Sequence, residues 1–308
     1  MKVVYMGTPD FAVEPLKALV NSTDFQVLAV VCNHDKPVGR KQVLTAPPVK
    51  EYALSVGIPV YQYDKIRNEG VEDLRALNPD VIVTCAFGQI LSSEIIDIPK
   101  FGVINVHASL LPKYRGASPI HFAILNGEKT TGVTIMKTDV GIDTGDTLIF
   151  EQTQIGDEET CGELFERLSV IGANLLIKGL NLIKDGKAKF TKQDETLSST
   201  TKIIRKEMAK IDFSKSAEQI VNQIRAFNPS PIAFTYLNGE QYKIYKAKKV
   251  SGKGQAGEII NSTDRLVVAC GTDAIEIEII QKQGGKPLNI KDFLRGNKLQ
   301  LGEIFTNA

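Results

Sequence analysis

Short apolar runs alternate with amphipathic segments through the first half of the chain, and this alternation limits the fold more than any other feature. Residues 2–6, 26–32 and 81–86 form Val-rich runs of strand length, and residues 11–20 carry apolar side chains at near-helical spacing. Runs that are apolar on both faces are typical of parallel strands with helices packed on each side. We therefore predict an α/β domain, with a Rossmann-like, mostly parallel sheet and helices on both of its faces.

The pattern changes in the second half of the chain. Residues 159–183 keep a 3.6-residue period, which predicts one long helix that closes a first domain, residues 1–187. Residues 188–204 are polar and rich in Ser and Thr, as expected of a linker. Beyond them the apolar side chains recur with period two, and Asn238-Gly239 is a strong hairpin signal. We predict a small C-terminal β-barrel, similar to an OB fold, over residues 205–308.

The charge balance differs between these two parts. The 308 residues include 37 Lys+Arg and 36 Asp+Glu, a net charge of +1 that by itself argues against a nucleic-acid partner. Residues 205–308, however, contain 16 Lys+Arg and 11 Asp+Glu. This part therefore has a net charge of +5, and the remainder has a net charge of −4. A basic C-terminal domain is therefore compatible with RNA binding by a nearly neutral protein.

The four cysteines, Cys32, Cys85, Cys161 and Cys270, lie far apart and include no C-x-x-C pair. The first two belong to apolar, strand-like runs, which indicates buried free thiols in a reducing compartment. No stretch reaches the roughly 18 apolar residues that a membrane helix needs, and the start of the chain lacks the apolar region of a signal peptide. We expect a cytoplasmic protein without membrane contact.

One glycine-rich segment matches a nucleotide-binding pattern by spacing alone. Residues 252–257 read Gly-Lys-Gly-Gln-Ala-Gly, but the residues after them predict a strand rather than a helix. Dinucleotide binding needs a helix N-terminus at that point, so we interpret the segment as a loop between strands. The first strand–helix turn, residues 7–11, has a single glycine, which also disfavours a dinucleotide dehydrogenase.

The three histidines are the side chains best suited to proton transfer near neutral pH. His34 lies in a polar loop, where we expect it to be solvated. His121 lies in a predicted helix, where we expect its side chain to serve packing rather than catalysis. His107 ends a predicted strand, residues 102–107, and strand alternation puts Asn105 on the same face. Ligands bind at the carboxyl ends of parallel strands. An amide and an imidazole there suit a carbonyl group that develops negative charge.

A second polar cluster follows another predicted strand, residues 132–137. Residues 139–146 read Asp-Val-Gly-Ile-Asp-Thr-Gly-Asp, and an ordinary acidic turn is the simplest interpretation. An EF-hand calcium loop is excluded because the spacing and the final Glu are wrong. If the strand that ends at His107 and residues 132–137 are neighbours, an Asp of this loop can reach His107, where it would fix the imidazole tautomer or raise its pKa.

Several motifs therefore occur together in one chain. They are Asn105-Val106-His107, the Ser-Leu-Leu-Pro-Lys-Tyr-Arg-Gly run of residues 109–116, and the pattern Asp139-x-Gly141-x-Asp143-x-Gly145. This combination resembles the tetrahydrofolate-dependent formyltransferases. Residues 7–12 (Gly-Thr-Pro-Asp-Phe-Ala) and the loop 36–50, with Lys-Pro-Val-Gly-Arg and Pro-Pro-Val-Lys, narrow the resemblance to family members that act on initiator tRNA. The resemblance covers essentially the whole chain.

The resemblance implies transfer of the formyl group of 10-formyltetrahydrofolate to the α-amino group of methionine on initiator methionyl-tRNA, for translation initiation. By analogy, Asn105, His107 and Asp143 are the catalytic residues. The imidazole would accept the amine proton, the carboxylate would orient the imidazole, and the amide would stabilise the oxyanion. No metal or covalent nucleophile is required, and no plausible set of ligands is seen. We expect the protein to act as a monomer.

The resemblance also implies where the two substrates bind. The folate pocket would be lined by Ser109, Leu110, Leu111 and Pro112. Arg40 and Lys41, in the loop 36–50, would contact the acceptor region of the tRNA, whereas composition alone favours a mobile, solvated loop. The basic C-terminal domain would provide a further tRNA-binding surface.

Two other functions stay open. A formyltransferase that acts on an amino-sugar nucleotide would share the Asn105, His107 and Asp143 set and the folate loop. A folate- or RNA-binding module is the non-enzymatic alternative, but nothing in simple binding demands all three side chains. The basic C-terminal domain and the basic loop favour tRNA over a sugar nucleotide.

Overall fold

The chain, seen here in a computed structural model, is described for residues 1–39 and 41–306. Its contacts divide it into two compact units. The first unit consists of Met1–Pro119, Thr131–Thr153 and Phe165–Lys202. The second consists of Ile120–Thr130, Gln154–Leu164 and Ile203–Ala308.

Strands and helices are numbered along the chain. The strands are β1 (Lys2–Gly7), β2 (Gln26–Cys32), β3 (Lys36–Val38), β4 (Val43–Thr45), β5 (Val60–Gln62), β6 (Val81–Cys85), β7 (Val103–His107), β8 (Arg115–Gly116), β9 (Thr130–Lys137), β10 (Thr147–Gln154), β11 (Thr200–Thr201), β12 (Ala233–Leu237), β13 (Glu240–Val250), β14 (Ile259–Asn261), β15 (Leu266–Ala269), β16 (Ala274–Lys282) and β17 (Leu288–Asn289). The α-helices are α1 (Val13–Val20), α2 (Pro48–Ser55), α3 (Ile66–Glu69), α4 (Val71–Leu77), α5 (Ser93–Ile96), α6 (Pro119–Leu125), α7 (Cys161–Lys184), α8 (Ala217–Ala226) and α9 (Ile290–Gly296). Short 3-10 turns cover Asp10–Ala12, Glu195–Leu197 and Lys206–Ala209.

A seven-stranded sheet of order β10-β9-β7-β6-β1-β2-β5 forms the centre of the first unit. The pairs β1–β2, β1–β6, β6–β7 and β2–β5 are parallel, and β7–β9 is antiparallel. Val3, Val4, Tyr5 and Met6 of β1, an interior strand, are all 0% exposed, so both faces of the sheet are covered. The predicted Rossmann-like, mostly parallel sheet is confirmed.

The long apolar runs are the elements that sequence predicts best. β2 and α7 agree with their predicted ranges within one or two residues, because a continuous apolar run and a sustained 3.6-residue period are unambiguous. β10 goes unpredicted because its sequence, Thr-Leu-Ile-Phe-Glu-Gln-Thr-Gln, is half polar and it lies at the edge of the sheet.

Residues 188–202, most of the segment predicted to be a linker, are held along the first unit by hydrogen bonds. The backbones of Thr147 and Thr191 exchange hydrogen bonds of 2.9 and 2.8 Å. β11 pairs in parallel with β8, with Thr200 opposite Arg115. These contacts carry the polar segment past the loop that follows β7.

In the second unit an antiparallel sheet of order β12-β13-β16-β15-β14 packs against α8. The helix begins with a capping box, in which the Ser216 hydroxyl accepts from Gln219 N and the Gln219 amide oxygen accepts from Ser216 N. The predicted hairpin is present: Leu237 pairs with Glu240, and Asn238 and Gly239 both have the positive φ that a type I′ turn needs.

The end of the described chain curls this sheet into a half-barrel. Tyr236 of β12 pairs with Thr306, and Glu258, just before β14, pairs with Ile304, so one segment bridges both edges. The glycine-rich run predicted as a loop lies between β13 and β14. Its last residue, Gly257, has φ +87°, and a Cβ there would lie 2.3 Å from the carbonyl oxygen of Phe305. The predicted small β domain is confirmed, as a curled antiparallel sheet.

All four cysteines are buried and free, as predicted. Burial raises the pKa of the Cys85 and Cys161 thiols to about 12, which keeps them protonated near neutral pH. None of the described helices combines the length and the apolar character required to cross a lipid bilayer.

Candidate active site

The end of β7 presents two polar side chains in an otherwise buried strand. Asn105 lies opposite Thr84 of β6 and Met136 of β9, and the Thr84 hydroxyl donates to Asn105 Oδ1 at 2.9 Å. His107, the last residue of the strand, is 5% exposed. Both side chains contact the same carboxylate, that of Asp143, so they share one face of the sheet as strand alternation predicts.

Asp143 collects hydrogen bonds from two chain segments and contacts the imidazole as well. Its Oδ1 accepts from Asn105 Nδ2 at 3.2 Å, and its Oδ2 accepts from the backbone N–H of Gly116 at 2.8 Å. The same Oδ2 lies 3.5 Å from His107 Nδ1. The Asp143 side chain is 17% exposed, so these groups supply much of the polar surroundings that a carboxylate needs.

Close contacts within the 139–146 loop account for the glycine in its sequence pattern. A Cβ at Gly145 would lie 1.9 Å from the carbonyl oxygen of Lys137, a contact that leaves room only for glycine. Thr144 Oγ1 lies 2.7 Å from Asp139 Oδ1, and Gly141 N donates to the same oxygen at 3.0 Å. The loop is thus a compact turn that presents the carboxylate of Asp143.

The tautomer of His107 follows from its second contact. Nε2 lies 3.0 Å from the backbone carbonyl oxygen of Tyr114, which can only accept a hydrogen bond. Nε2 therefore carries a hydrogen, and the other ring nitrogen, Nδ1, faces Asp143 Oδ2.

The loop after His107 is held from below by one threonine. The Thr134 hydroxyl donates to Ser109 O at 2.7 Å and accepts from Leu111 N at 3.2 Å. The Ser109 hydroxyl is itself used within the loop, because it donates to Lys113 O at 2.6 Å. Leu110, Leu111 and Pro112 are half-buried, so the loop offers an apolar edge on a rigid support.

Arg115 and Gln193 are two buried residues to which sequence reasoning gives no role. Arg115 is 4% exposed and Gln193 is 7% exposed. The guanidinium donates to Gln193 and also to both carboxylate oxygens of Glu195, each at 2.8 Å. Hydrogen bonding to Arg115 lowers the pKa of Glu195. Arg115 stands in the motif 109–116, whereas no periodicity or motif distinguishes Gln193 within its polar segment.

The loop 36–50 begins with a two-stranded ribbon, β3 paired antiparallel with β4. Lys41 lies in its turn and is exposed, while Arg40 lies outside the described residues. The ribbon also exposes three apolar side chains, Val38 (56%), Val43 (58%) and Leu44 (67%). Beyond the ribbon, Lys50 Nζ is bound by Asp35 Oδ1 at 2.8 Å and by Gln62 Oε1 at 2.9 Å, so this lysine anchors the base of the loop.

The other two histidines have the surroundings that the sequence predicts. The His34 side chain is half exposed and lies 3.2 Å from Asp64. His121, in the second unit, packs its ring 6.4 Å from that of Phe227, and burial lowers its pKa. In the described parts of the chain, no group of three or more His, Cys, Asp or Glu side chains could hold a metal ion.

An amide, an imidazole and a carboxylate thus meet over a strand end of a doubly covered α/β sheet. This set can serve the transfer of an acyl group to an amine, which needs a donor for the oxyanion, a base for the proton and an anion that orients the base. A family model described as "Formyl transferase" matches residues 1–180, and one described as "Formyl transferase, C-terminal domain" matches residues 203–298. The chain belongs to the formyltransferase family.

Relatives within this family align with the chain from end to end. The methionyl-tRNA formyltransferase of Alkaliphilus metalliredigens is 47% identical over 310 residues, covering 99% of this chain and 98% of that protein. That of Ruminiclostridium cellulolyticum is 45% identical over 309 residues, covering 98% and 99%. Among solved structures, an N-formyltransferase of Helicobacter canadensis in complex with folinic acid and dTDP-3-aminofucose superposes with a TM-score of 0.70 at 25% identity, covering 92% of this chain and 99% of that one.

Proposed function

We propose that this protein transfers the formyl group of 10-formyltetrahydrofolate to the α-amino group of methionine on initiator methionyl-tRNA. The observation that carries the proposal is the alignment, at 45–47% identity over 98% or more of both chains, with relatives named methionyl-tRNA formyltransferase. The N-formyltransferase solved with dTDP-3-aminofucose is a more distant relative, at 25% identity. The arrangement of Asn105, His107 and Asp143 supplies the chemistry.

Formyl transfer requires a neutral amine that loses a proton as its nitrogen bonds to the formyl carbon. We assign that proton to His107 Nδ1, the only ring nitrogen without a fixed hydrogen. Asp143 faces the same nitrogen at 3.5 Å and stabilises the imidazolium that forms. The bond from the formyl carbon to the folate nitrogen then breaks, and the imidazolium gives its proton to that leaving nitrogen, so that His107 is neutral again.

Asn105 is assigned to the oxygen of the formyl group. Asp143 accepts a hydrogen bond from Asn105 Nδ2, and Thr84 donates one to Asn105 Oδ1. These two contacts fix the orientation of the amide. Its second N–H has no partner among the described residues and can donate to the oxygen as negative charge develops there. Removing one such donor raises an activation barrier by about 3 kcal/mol.

The folate site is assigned to Ser109, Leu110, Leu111 and Pro112, on the fit of the loop to a flat, partly apolar ligand. Because the Ser109 hydroxyl donates to Lys113 O, that serine contributes to the shape of the loop rather than a free hydroxyl. The two leucines and the proline provide the apolar contact. Thr134 beneath the loop keeps this edge in place.

The tRNA is assigned to two surfaces, the ribbon β3–β4 and the C-terminal domain. The ribbon follows β2 at the carboxyl edge of the parallel strands, the edge at which His107 ends β7, and it carries Lys41. The C-terminal domain has a net charge of +5, but Lys246, Lys248 and Lys249 of β13 are paired with carboxylates. These three lysines are therefore less available to phosphate than unpaired ones.

We divide the chain into a catalytic domain, residues 1–187, a linker, residues 188–204, and a tRNA-binding domain, residues 205–308. All the side chains assigned to catalysis come from one chain, which supports action as a monomer. Initiator tRNA is formylated where translation begins, which assigns the protein to the cytoplasm.

The choice of amine substrate tests this function. With 10-formyltetrahydrofolate as donor and no added metal, the purified protein should formylate initiator methionyl-tRNA and leave a dTDP-amino sugar unmodified. The two rates are compared at equal enzyme and donor concentrations. Formylation of the sugar nucleotide but not of the tRNA would assign the chain to the other branch of the family, and binding without turnover of either would favour a binding module.

Removal of the proposed base should abolish most of the turnover. His107→Ala should lower kcat at least about a hundredfold, because general base catalysis contributes that much, while the affinity for tRNA stays unchanged. His34→Ala is the matched control, since this histidine is half exposed and its Nε2 pairs with Asp64; its kcat should equal that of the wild type. A His107→Ala enzyme with near-normal turnover would remove His107 from the mechanism.

The ribbon should contribute to the binding of tRNA and not to the binding of folate. Lys41→Ala and Arg40→Ala should each raise the KM for tRNA, and each should reduce the slope of log affinity against log salt by about 1, since one phosphate contact is lost. Lys100→Ala is the control, because Lys100 is exposed just before the start of β7, at the opposite edge of the sheet. If the slope of log affinity against log salt is unchanged in both ribbon variants, the loop is solvated and does not bind tRNA.

A further inference from the structure

A buried guanidinium holds one side chain of the segment 188–202 in a single orientation. Arg115 Nε and Nη2 donate to Gln193 Oε1 at 3.0 and 2.9 Å. Because a guanidinium only donates, the oxygen of the Gln193 amide must face Arg115 and its nitrogen must face the other way. Glu195 accepts from the adjacent edge of the guanidinium, through hydrogen bonds of 2.8 Å from Nη1 and from Nη2.

The nitrogen of that amide faces the backbone of the loop that carries Asp143. Gln193 Nε2 donates to the carbonyl oxygen of Asp143 at 2.8 Å and to that of Gly145 at 2.7 Å. Every polar atom of the Gln193 side chain is thus used, with both hydrogens on the loop and the oxygen on Arg115. Only a primary amide of this length satisfies the three groups together.

The loop needs such support because it has little packing of its own. Val140 is 79% exposed and Ile142 is 68% exposed, so the two apolar residues before Asp143 make few core contacts. Asp143 itself has φ +53°, a left-handed conformation that a residue with a side chain seldom adopts. The two hydrogen bonds from Gln193 go to the carbonyl oxygen of this residue and to that of Gly145, two residues later.

We propose that Gln193, oriented by Arg115, is a positioning residue for Asp143 in formyl transfer, and thereby sets the contact of Asp143 with His107. The inference rests on the proposed function, because it assigns a role in that same site. Gln193 touches no reacting atom. It acts by holding the carbonyl groups of Asp143 and Gly145, so that the carboxylate meets His107 Nδ1 and Asn105 Nδ2 together.

Gln193→Glu tests the orientation of the amide at constant shape. The carboxylate would keep its contact with Arg115 but turn an acceptor toward two carbonyl oxygens, which repels the loop. We expect kcat to fall at least about tenfold, while the KM for methionyl-tRNA changes less than about twofold and the melting temperature is kept. Lys192→Ala, an exposed neighbour on the same segment, is the matched control and should equal the wild type.

A double-mutant cycle shows whether the effect passes through Asp143. Gln193→Ala should cost at least about tenfold in single-turnover rate in the wild-type background, and less than about twofold when Asp143 is already alanine. Equal losses in both backgrounds would mean that Gln193 does not act through this carboxylate, and the inference would be wrong. Loss of activity that merely follows loss of the folded state would count against it in the same way.

A spectroscopic measurement separates this inference from the proposed function. The chain has three histidines, so ¹⁵N-labelled imidazole resonances can be assigned with His107→Ala and followed one by one. In Gln193→Glu, the ring-nitrogen resonances of His107 should shift while those of His34 and His121 stay in place, whatever amine the enzyme accepts. Unchanged His107 resonances would overturn the inference even if activity fell. A shifted His107 in a protein that does not formylate tRNA would overturn only the function.

Discussion

The site depends on one partly buried carboxylate, that of Asp143, which binds separate parts of the chain together. It accepts from Asn105 of β7 and from the backbone of Gly116, and it faces His107. A charged group that is 17% exposed requires such partners, since each hydrogen bond to a charged group contributes about 1.5–3 kcal/mol and its loss leaves the charge unsatisfied. The residues that would perform the chemistry are therefore also the residues that hold the site in shape.

The sheet determines how this carboxylate reaches its partners. β9 runs antiparallel to β7, with Thr134 opposite His107 and Lys137 opposite Ile104. The loop that follows β9 therefore leaves beside the start of β7 and folds over the face that carries Asn105 and His107. Glycine at 145 permits the close approach to the Lys137 carbonyl, and the amide of Gln193 holds the loop from outside.

The parts that sequence predicts are those governed by local patterns. The apolar runs predict the parallel sheet, the 3.6-residue period predicts α7, and Asn238-Gly239 predicts the hairpin, because each signal is contained in a few adjacent residues. Alternation along β7 brings Asn105 and His107 to one face for the same reason. The strands 102–107 and 132–137 are indeed neighbours, and an Asp of the following loop does reach His107, as predicted.

The parts that sequence does not predict depend on contacts between distant residues. The direction of β9 relative to β7 is one of them, because both directions bury the same side chains. Gln193 is another: it lies 50 residues from Asp143 in a polar segment whose composition is that of a linker. Its partner Arg115 is buried, although arginine is usually exposed. Burial is possible because Gln193 and Glu195 accept hydrogen bonds from the guanidinium, and only the three-dimensional structure shows these contacts. The assignments of Arg40 and Lys41 to tRNA stay predictions.

The dependence of the site on the Asp143 carboxylate can be measured in a single turnover of the Asp143→Asn variant. Asparagine keeps the size of the side chain but has one acceptor oxygen and no charge, so it cannot serve Asn105, Gly116 and an imidazolium together. The rate of formyl transfer from enzyme saturated with 10-formyltetrahydrofolate and methionyl-tRNA should fall at least about a hundredfold, on the scale of acid–base catalysis. The affinity for both substrates should stay within about threefold of the wild type. A rate close to that of the wild type would contradict the account, because the carboxylate would then be needed neither for the shape of the site nor for its chemistry.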